Sequence, residues 1–453
     1  MKLSHLWWTT FLLTTLCTDL VSAQAFRPPV LRTWAKTFEG RSHVEGIYDL
    51  RREPDGNIRV ASYSWGSNTG IATGSLLYLD GNDGSTRLRS SISHSSTNTY
   101  VTGAGLSADG GALFLGAHNV QIFTSQDASV VRLDESGTPS WSHAFTSPGD
   151  VLLNLFDAVE LSNGSWVMAG GRIATTIGWD AWIVRMSAAG SVEWQYEYGS
   201  GLDEQTASIT ATSAGGTVVA GNLWSTQTGD RDAWVIKLDS LGAIEWQKTY
   251  ELGGLDQAFA IVELAGGGYA MSGMTKTGST ANPRPWMARL DSAGDVLWYR
   301  IVDVSWGDWN GITESSNGGL AAVGRARANG SSEMDLYAIE FALNGDLRWQ
   351  RAYQCEGSAT GASILALPGS RFVLGGTWNR GANLSADAPW VIQTGKDAAL
   401  PMCDLVSMTA YPILSPVVVA QDGVAVRRLA TAVANAVSFE ASPSTQASTE
   451  RCH

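Results

Sequence analysis

The chain has 453 residues, of which 50 are glycine and 19 are tryptophan, and charged residues make up only 16%. The formal net charge is −13 and no basic run is present, which argues against nucleic acid and against an anionic membrane surface as partners. Short apolar runs separated by many glycine-containing turns indicate an all-β fold.

Residues 1–23 have the pattern of a secretory signal peptide. Lys2 gives a positive start, a mostly apolar stretch runs over residues 6–16, and small residues suited to cleavage lead up to Ala23. The apolar stretch is too short to predict a membrane span. We therefore expect an exported chain, secreted, periplasmic or at the cell surface, without membrane insertion.

A unit of about fifty residues repeats from Trp34 onwards. Two anchors recur at spacings of 51 to 53 residues: an aromatic residue in an Asp-Ala-Trp strand, and a tryptophan after the next turn. The first anchors are Trp182, Trp234, Trp286, Tyr337 and Trp390, and the second anchors are Trp141, Trp194, Trp246, Trp298 and Trp349. Upstream copies are more degenerate, with Ser75 and Ser129 in the first position and Leu88 in the second. A period near 50 indicates a propeller or a solenoid.

Each unit reads as four strands, which we call A to D from the inside outwards. Alternating runs joined by tight turns give seven A–B hairpins, seven C strands and seven D strands. The series starts on a lone D strand at Trp34 and ends on a C strand at Trp390, so the N-terminal strand can complete the last unit. We predict that residues 30–396 form a seven-bladed β-propeller of four-stranded antiparallel blades, closed by this strand.

Several repeated residues have expected structural roles. Trp234 and Trp246 flank the C–D turn and are expected to lie nearly opposite each other. Gly221 and its equivalents end the B strands, where close backbone approach favours glycine. Asp239 lies in the C–D turn, where a short acidic side chain favours turn geometry.

Residues 397–453 break the pattern. Strand-like stretches at 411–420 and 424–426 predict a short C-terminal β-like appendage, and the Ser/Thr-rich residues 442–450 predict a mobile tail. Once the signal peptide is removed, the cysteines are Cys355, Cys403 and Cys452. We expect a Cys403–Cys452 disulfide in an oxidising compartment; the alternative is three free thiols.

The string Asp-Ala-Trp-Val-Ile-Lys-Leu-Asp ending at Asp239, then Gly242, then Glu-Trp-Gln-Lys-Thr-Tyr ending at Tyr250, resembles a large group of bacterial exported β-propeller repeat proteins. The resemblance covers residues 34 to about 395. It implies an exported seven- or eight-bladed propeller, in a group whose members mostly have no assigned role. The first two copies depart from the pattern because they lack the C-strand tryptophan.

No catalytic motif is present in the sequence. Phosphate-binding glycine loops and His-Glu-x-x-His are absent, and the cysteines lack zinc-ligand spacing. The turn from Asp80 to Gly84 has part of a calcium-loop pattern but lacks the bidentate glutamate. We predict no cofactor and no metal.

The D-to-A and B-to-C connections are expected on one face, and they vary between copies. Variable loops on a rigid scaffold are the usual place for binding residues. Six tryptophans break the period and fall on this variable-loop face: Trp65, Trp179, Trp224, Trp306, Trp309 and Trp378. They are candidates for a ligand platform, because an indole combines a large apolar area with a hydrogen-bond donor. The alternative is that these rings pack the loops onto the blades.

Non-repeated polar residues also fall on this face. His118, Arg172 and Arg325 begin B-to-C connections and are candidates for a site at the axial opening, which His43 and His94 could join. Asp203, Asp256 and Asp308 precede strand A at positions that the sequence places as equivalent, and we expect them to be structural caps.

Three functions remain open from the sequence. The leading hypothesis is an exported non-catalytic propeller that binds a carbohydrate or an extracellular protein through its variable-loop face. The alternatives are a polysaccharide lyase or hydrolase with a His/Arg site at the axial opening, and a structural envelope protein.

Overall fold

The computed structural model describes most of the repeat region and parts of the C-terminal segment. The described residues are 33–38, 44–66, 71–93, 100–121, 125–146, 151–174, 178–225, 229–278, 281–328, 331–354, 357–379, 387–400, 406–407, 411–415, 419–422, 426–429, 433–436, 440–443 and 448–452. They belong to one compact unit, Arg32–His453. The predicted signal peptide lies outside them.

The described chain is all-β, apart from a single 3-10 turn at Lys396–Ala398. Strand β1 spans Trp34–Phe38. Sheet 1 contains β2 (Val44–Arg52), β3 (Ile58–Gly66), β4 (Ile71–Leu79) and β5 (Thr86–Ser93). Sheet 2 contains β6 (Tyr100–Leu106), β7 (Ala112–Gln121), β8 (Ser125–Leu133) and β9 (Pro139–Thr146).

Sheets 3 to 6 repeat the same antiparallel meander. Sheet 3 contains β10 (Val151–Glu160), β11 (Trp166–Ala174), β12 (Trp179–Met186) and β13 (Val192–Gly199). Sheet 4 contains β14 (Glu204–Ala211), β15 (Thr217–Trp224), β16 (Arg231–Leu238) and β17 (Ile244–Glu251). Sheet 5 contains β18 (Leu255–Glu263), β19 (Tyr269–Lys276), β20 (Arg284–Leu290) and β21 (Val296–Val302). Sheet 6 contains β22 (Trp306–Glu314), β23 (Gly319–Arg327), β24 (Asp335–Ala342) and β25 (Leu347–Tyr353).

Sheet 7 combines distant parts of the chain. It contains β26 (Ser358–Leu367), β27 (Arg371–Asn379) and β28 (Asp387–Gln393), and β1 pairs antiparallel with β28. The sequence predicted this completion of the last unit by the N-terminal strand.

Neighbouring sheets contact each other through their first strands. These contacts follow a cyclic order: β2 contacts β6, β6 contacts β10, and so on through β14, β18, β22 and β26, which contacts β2 again. A single parallel pairing between Leu152 and Gln126 also joins sheets 2 and 3.

The C-terminal segment differs from the predicted appendage, because its strands are distributed over the sheets. Each sheet gains a short antiparallel fifth strand beside its D strand. These are β29 (Val406–Ser407) on sheet 6, β30 (Ile413–Leu414) on sheet 5, β31 (Val419–Asp422) on sheet 4, β32 (Val426–Leu429) on sheet 3, β33 (Val433–Ala436) on sheet 2, β34 (Glu440–Pro443) on sheet 1 and β35 (Ser448–Cys452) on sheet 7. Parts of the segment predicted as a mobile tail therefore lie in β34 and β35.

The repeated aromatic residues form the layers between the sheets. Trp182 and Trp234 are fully buried, and their Nε1 atoms donate to Gln195 and Gln247 at 3.2 and 3.4 Å. The predicted cross-strand pair of tryptophans is wrong: Trp234 lies opposite Thr249, and Trp246 lies opposite Lys237. Trp246 lies three ladder positions closer to the C–D turn than Trp234 does, and its ring contacts Tyr269 of the next sheet.

The close backbone approach expected at Gly221 and the turn role expected of Asp239 are confirmed, but Gly221 lies inside β15 (Thr217–Trp224) and not at its end. A Cβ atom on Gly221 would lie 1.9 Å from the carbonyl oxygen of Gln205, which no side chain could tolerate. In the C–D turn, Asp239 Oδ1 accepts hydrogen bonds from the backbone N–H groups of Leu241 and Ala243 at 2.8 and 2.7 Å.

Candidate ligand-binding face and central cavity

Exposed aromatic rings lie where A strands begin and B strands end. Trp224 at the end of β15 is 42% exposed, and Tyr100 at the start of β6 is 40% exposed. The ring of Trp65, at the end of β3, lies 5.9 Å from that of Tyr100. Two of the six predicted tryptophans therefore lie at or near accessible aromatic surface, and Tyr100 is an additional ring that the tryptophan pattern missed.

Trp306 and Arg325 come together on sheet 6. The guanidinium carbon of Arg325 lies 4.5 Å from the centroid of the Trp306 ring, a cation–π contact. The same guanidinium donates to Asp308 Oδ2 from Nε and Nη2 at 3.0 and 2.9 Å. Because the Arg325 side chain keeps about a third of its surface exposed (36%), it presents a fixed positive charge beside an aromatic ring.

The other three predicted tryptophans are largely withdrawn into the protein. Trp309 is fully buried and stacks on Tyr337 with an interplanar angle of 8°. Trp378 is buried beside Trp390. Trp179 is half-buried, and its ring packs where a side chain on residue 171 would stand. For these rings, the geometry fits packing between and within sheets.

The predicted His/Arg cluster is spread over separate sheets. Arg172 lies in β11 of sheet 3 and forms a 2.9 Å ion pair with Glu197 of the same sheet. Arg325 lies in sheet 6 and is paired with Asp308. His118 belongs to β7 of sheet 2, with its side chain outside the described part, and residues 43 and 94 also lie outside the described residues.

The three predicted capping aspartates are not equivalent. Asp256 lies opposite Thr275 and accepts the backbone N–H of Leu252 at 2.7 Å, which is a cap of the connection before strand A. The matching residue of sheet 4 is Glu204, which accepts the backbone N–H of Ser200 at 2.8 Å. Burial raises the pKa of Asp256 to about 7 and also raises the pKa of Glu204.

Asp203 and Asp308 serve other purposes. Asp203 lies one residue before β14, where it accepts the backbone N–H of Trp179 at 3.2 Å and pairs with Arg231 at 2.5 Å. Asp308 forms an ion pair with Arg325. The equivalence read from the sequence is therefore wrong, because the distance from each aspartate to the repeated glycine inside the following B strand differs by one or two residues between copies.

A central cavity of about 390 Å³ is lined by the first strands of all seven sheets. Its lining includes the aromatic residues Tyr48, Phe156 and Phe259 and the polar residues Asp49, Asp157 and Asn310. The sequence pattern did not predict this lining. Both aromatic and polar side chains therefore line the space that the seven first strands enclose.

Two carboxyl groups face this cavity from sheets 1 and 3. Asp49 accepts the backbone N–H groups of Leu50 and Leu106 at 2.7 and 3.0 Å, and the latter belongs to sheet 2. Asp157 accepts those of Ala158 and Ile209 at 2.8 and 2.9 Å, and the latter belongs to sheet 4. Each aspartate therefore joins its own sheet to the next.

Removal from water disfavours the charged form of both aspartates. This desolvation raises the pKa of Asp157 to about 7, with a further contribution from the negative charge of Asp49, and the backbone hydrogen bonds oppose the shift. Desolvation likewise raises the pKa of Asp49.

Beta-bulges place these residues on the cavity. Every first strand has a register shift at the same point, for example between Ile47 and Asp49 and between Leu155 and Asp157. A bulge adds one residue and re-aims the side chains that follow it. The available sequence signal was an aromatic–Asp pair inside the first strand, which occurs as Tyr48-Asp49 in the first copy and Phe156-Asp157 in the third.

A second, small pocket lies where the repeat is degenerate. Ser129 takes the place of the C-strand tryptophan in sheet 2, and a pocket of about 30 Å³ between sheets 1 and 2 is lined by Ser129, Phe114 and Tyr100. The missing ring thus leaves free volume close to the exposed Tyr100.

The remaining predictions concern the cysteines, metal ligands and membrane spans. Cys355 and Cys403 lie outside the described residues, and Cys452 pairs with Ala35 in the β35–β1 ladder. Within the described ranges, no three His, Cys, Asp or Glu residues are grouped as metal ligands. The described part contains no helix of the length and apolarity that a membrane span needs.

Comparisons with known proteins give structural neighbours only. No family model matches the chain, and no curated protein matches it. A protein of unknown function from Dyadobacter fermentans DSM 18053 is similar with a TM-score of 0.42 and 10% identity, over 81% of this chain and 99% of that one. A glucose dehydrogenase gives a TM-score of 0.36 with 9% identity, over 66% and 99% of the two chains. A eukaryotic initiation factor gives 0.33 with 10% identity, over 79% and 98%.

Proposed function

We propose that the chain is an exported, closed seven-bladed β-propeller that binds a carbohydrate, without catalysis, through its variable-loop face. The observation that carries the proposal is the exposed aromatic surface at the ends of strands A and B. Trp224 is 42% exposed, and the pair of Tyr100 and Trp65 forms a second group on other sheets. Trp306 under Arg325 forms a third.

This arrangement suits a sugar chain. Aromatic faces stack on the apolar faces of sugar rings, and a fixed guanidinium adds donors for hydroxyl or carboxylate groups. The groups lie on sheets 1, 2, 4 and 6, so an extended glycan could contact more than one of them. The cyclic contacts among the first strands support the closed ring that would hold these groups in place.

A glycan array on the mature chain, followed by titration of any positive glycan, tests the proposal. For Trp224→Ala we expect affinity to fall about 30-fold, corresponding to about 2 kcal/mol for loss of a central aromatic contact. The matched control is Leu241→Ala, because Leu241 is 69% exposed but lies in a C–D turn at the opposite strand ends.

Equal affinities of wild type, Trp224→Ala and Tyr100→Ala for every bound glycan would contradict the platform. If the array is negative and a pull-down from the native envelope captures a protein through the same residues, the ligand class is a protein. Binding of neither class would favour the structural envelope protein.

A second candidate function is an enzyme with its site in the central cavity. The supporting observation is Asp157, a cavity-lining carboxyl group whose pKa is raised to about 7 as a general acid needs, with a second carboxyl group, Asp49, lining the same cavity. The His/Arg site at the axial opening stays a prediction; the described side chains among its residues, Arg172 and Arg325, are ion-paired with Glu197 and Asp308. It predicts that Asp157→Asn abolishes glycan cleavage while Trp224→Ala keeps the turnover rate of a small substrate.

A further inference from the structure

The fifth strands follow the sheets in reverse order. Sheets 1 to 7 follow one another along the chain. The fifth strands of the C-terminal segment pair with sheets 6, 5, 4, 3, 2 and 1 in that order, and then with sheet 7. Every one of these pairings is antiparallel. The segment thus runs past the outer edge of each sheet once.

The segment has a period of its own. Successive fifth strands begin at Val406, Ile413, Val419, Val426, Val433, Glu440 and Ser448, which are six to eight residues apart. The first five are β-branched, the residue class that favours strands.

These strands also dock at corresponding positions. Val426 pairs with Gly199 and Val419 with Glu251, each five residues after the second-anchor tryptophan of its sheet. Val433 pairs with Thr146, again five residues after the anchor. In sheets 5 and 6 the first residue of the fifth strand pairs one position earlier, Ile413 with Val302 and Val406 with Tyr353, so the docking positions agree to within one residue.

Covering the edges has a physical consequence. An exposed edge strand offers unpaired N–H and C=O groups to other chains, and natural proteins protect such edges. Each fifth strand is only two to five residues long and makes few hydrogen bonds, so it is marginal by itself and depends on its neighbours.

Sheet 7 is the place where this pairing matters most. β1 has no turn that connects it to sheet 7 and is held there by ladders on both sides, with β28 and with β35. β35 covers β1 from Ala35 to Phe38.

We propose that strands β29 to β35 act together as a strap along the outer edges of the seven sheets, and that β35 is the clasp that keeps β1 in sheet 7. The kind of partner that the seven outer edges accept is an extended β-strand, and the strap supplies it from the same chain. The inference rests on strand pairing and is independent of the proposed ligand.

Hydrogen exchange of the full chain, followed by mass spectrometry, tests the clasp. Thr449 of β35 pairs with Thr37 of β1, and Gln421 of β31 pairs with Thr249 of sheet 4. Proline at either position removes a backbone N–H and its ring restricts the short strand, whereas alanine keeps both the N–H and the backbone freedom. The test therefore compares Thr449→Pro with Thr449→Ala, and Gln421→Pro with Gln421→Ala.

For Thr449→Pro we expect backbone exchange over residues 34–38 to speed up at least tenfold, with residues 248–251 unchanged. Gln421→Pro should give the reverse, and both alanine variants should match wild type. The proposal is overturned if Thr449→Pro leaves exchange at 34–38 unchanged, or if residues 34–38 and 248–251 already exchange in wild type at the rate of an unprotected chain. It is also overturned if Gln421→Pro opens β1 as strongly as Thr449→Pro does, because the clasp would then not be local.

Discussion

Replacing Asp157 by asparagine should change how the stability of the fold depends on pH. In the folded protein the pKa of Asp157 is raised to about 7, whereas its ordinary value is 3.8. Between these values the folded state holds a proton that the unfolded state releases. The corresponding stability is fully present below about pH 4, and it is lost as the pH rises through about 7.

The magnitude follows from the size of the shift. A shift of about three pKa units corresponds to about 4 kcal/mol, which is an upper limit because the side chain faces a cavity that water can enter. Asparagine cannot ionise, so this dependence disappears. The NH₂ group of asparagine would also face one of the two backbone N–H groups that donate to Asp157. This meeting of two donors lowers the free energy of unfolding by about 1–3 kcal/mol at any pH.

The assay is urea unfolding followed by tryptophan fluorescence at pH 4.5, 6, 7 and 8. Asp157→Asn should be less stable than wild type at pH 4.5, and the gap should close or reverse by pH 8. Ser363→Ala is the matched control, since Ser363 follows the bulge of β26 and lines the same cavity without a titratable group. A difference between wild type and Asp157→Asn that stays constant from pH 4.5 to 8 would refute the reasoning.

Two further predictions concern buried polar atoms and close backbone contacts. Tyr299→Phe should raise the free energy of unfolding by about 1 kcal/mol, because the Tyr299 hydroxyl is buried without a protein partner. Tyr250→Phe should lower the free energy of unfolding by about 1 kcal/mol, because the Tyr250 hydroxyl donates to a backbone carbonyl at 2.8 Å. Urea midpoints that move in the same direction for both variants would contradict this. Gly221→Ala should destabilise by about 3 kcal/mol or more, because its Cβ would meet the Gln205 carbonyl, whereas Gly266→Ala, with open space around it, should have little effect on the thermal midpoint.

The four-stranded units could be predicted from the sequence because each carries its own evidence. The alternating runs and the turn glycines specify the strands locally, the tryptophan anchors add to this in the later copies, and the count of strands predicts the pairing of β1 with β28. Burial of Trp182 and Trp234 agrees with their place in the repeat. The registers of strand pairing were harder to predict from the sequence, because a bulge inserts one residue and changes which side chains share a face.

The fifth strands could not be predicted in the same way. Strands of two to five residues have little pattern of their own, and their register comes from the D-strand edges on which they dock. A β-branched residue every six or seven positions, from Val406 to Val433, was the available signal. It differs from the fifty-residue period, so a search for that repeat passes over it.

The hydrogen bonds of Asp157 bear on the choice between binding and catalysis. Both of its oxygens accept backbone N–H groups, one of them from the neighbouring sheet, so the carboxyl group is held as a link between sheets. A catalytic acid has to exchange its proton with a substrate while remaining in place, and the remaining lone pairs of Asp157 would have to serve that purpose. The side chains of Trp224 and Tyr100 are 42% and 40% exposed, so less of their surface is used in packing the fold. Substitutions there should therefore separate ligand binding from folding, whereas substitutions at Asp157 should always disturb both the fold and any chemistry in the cavity.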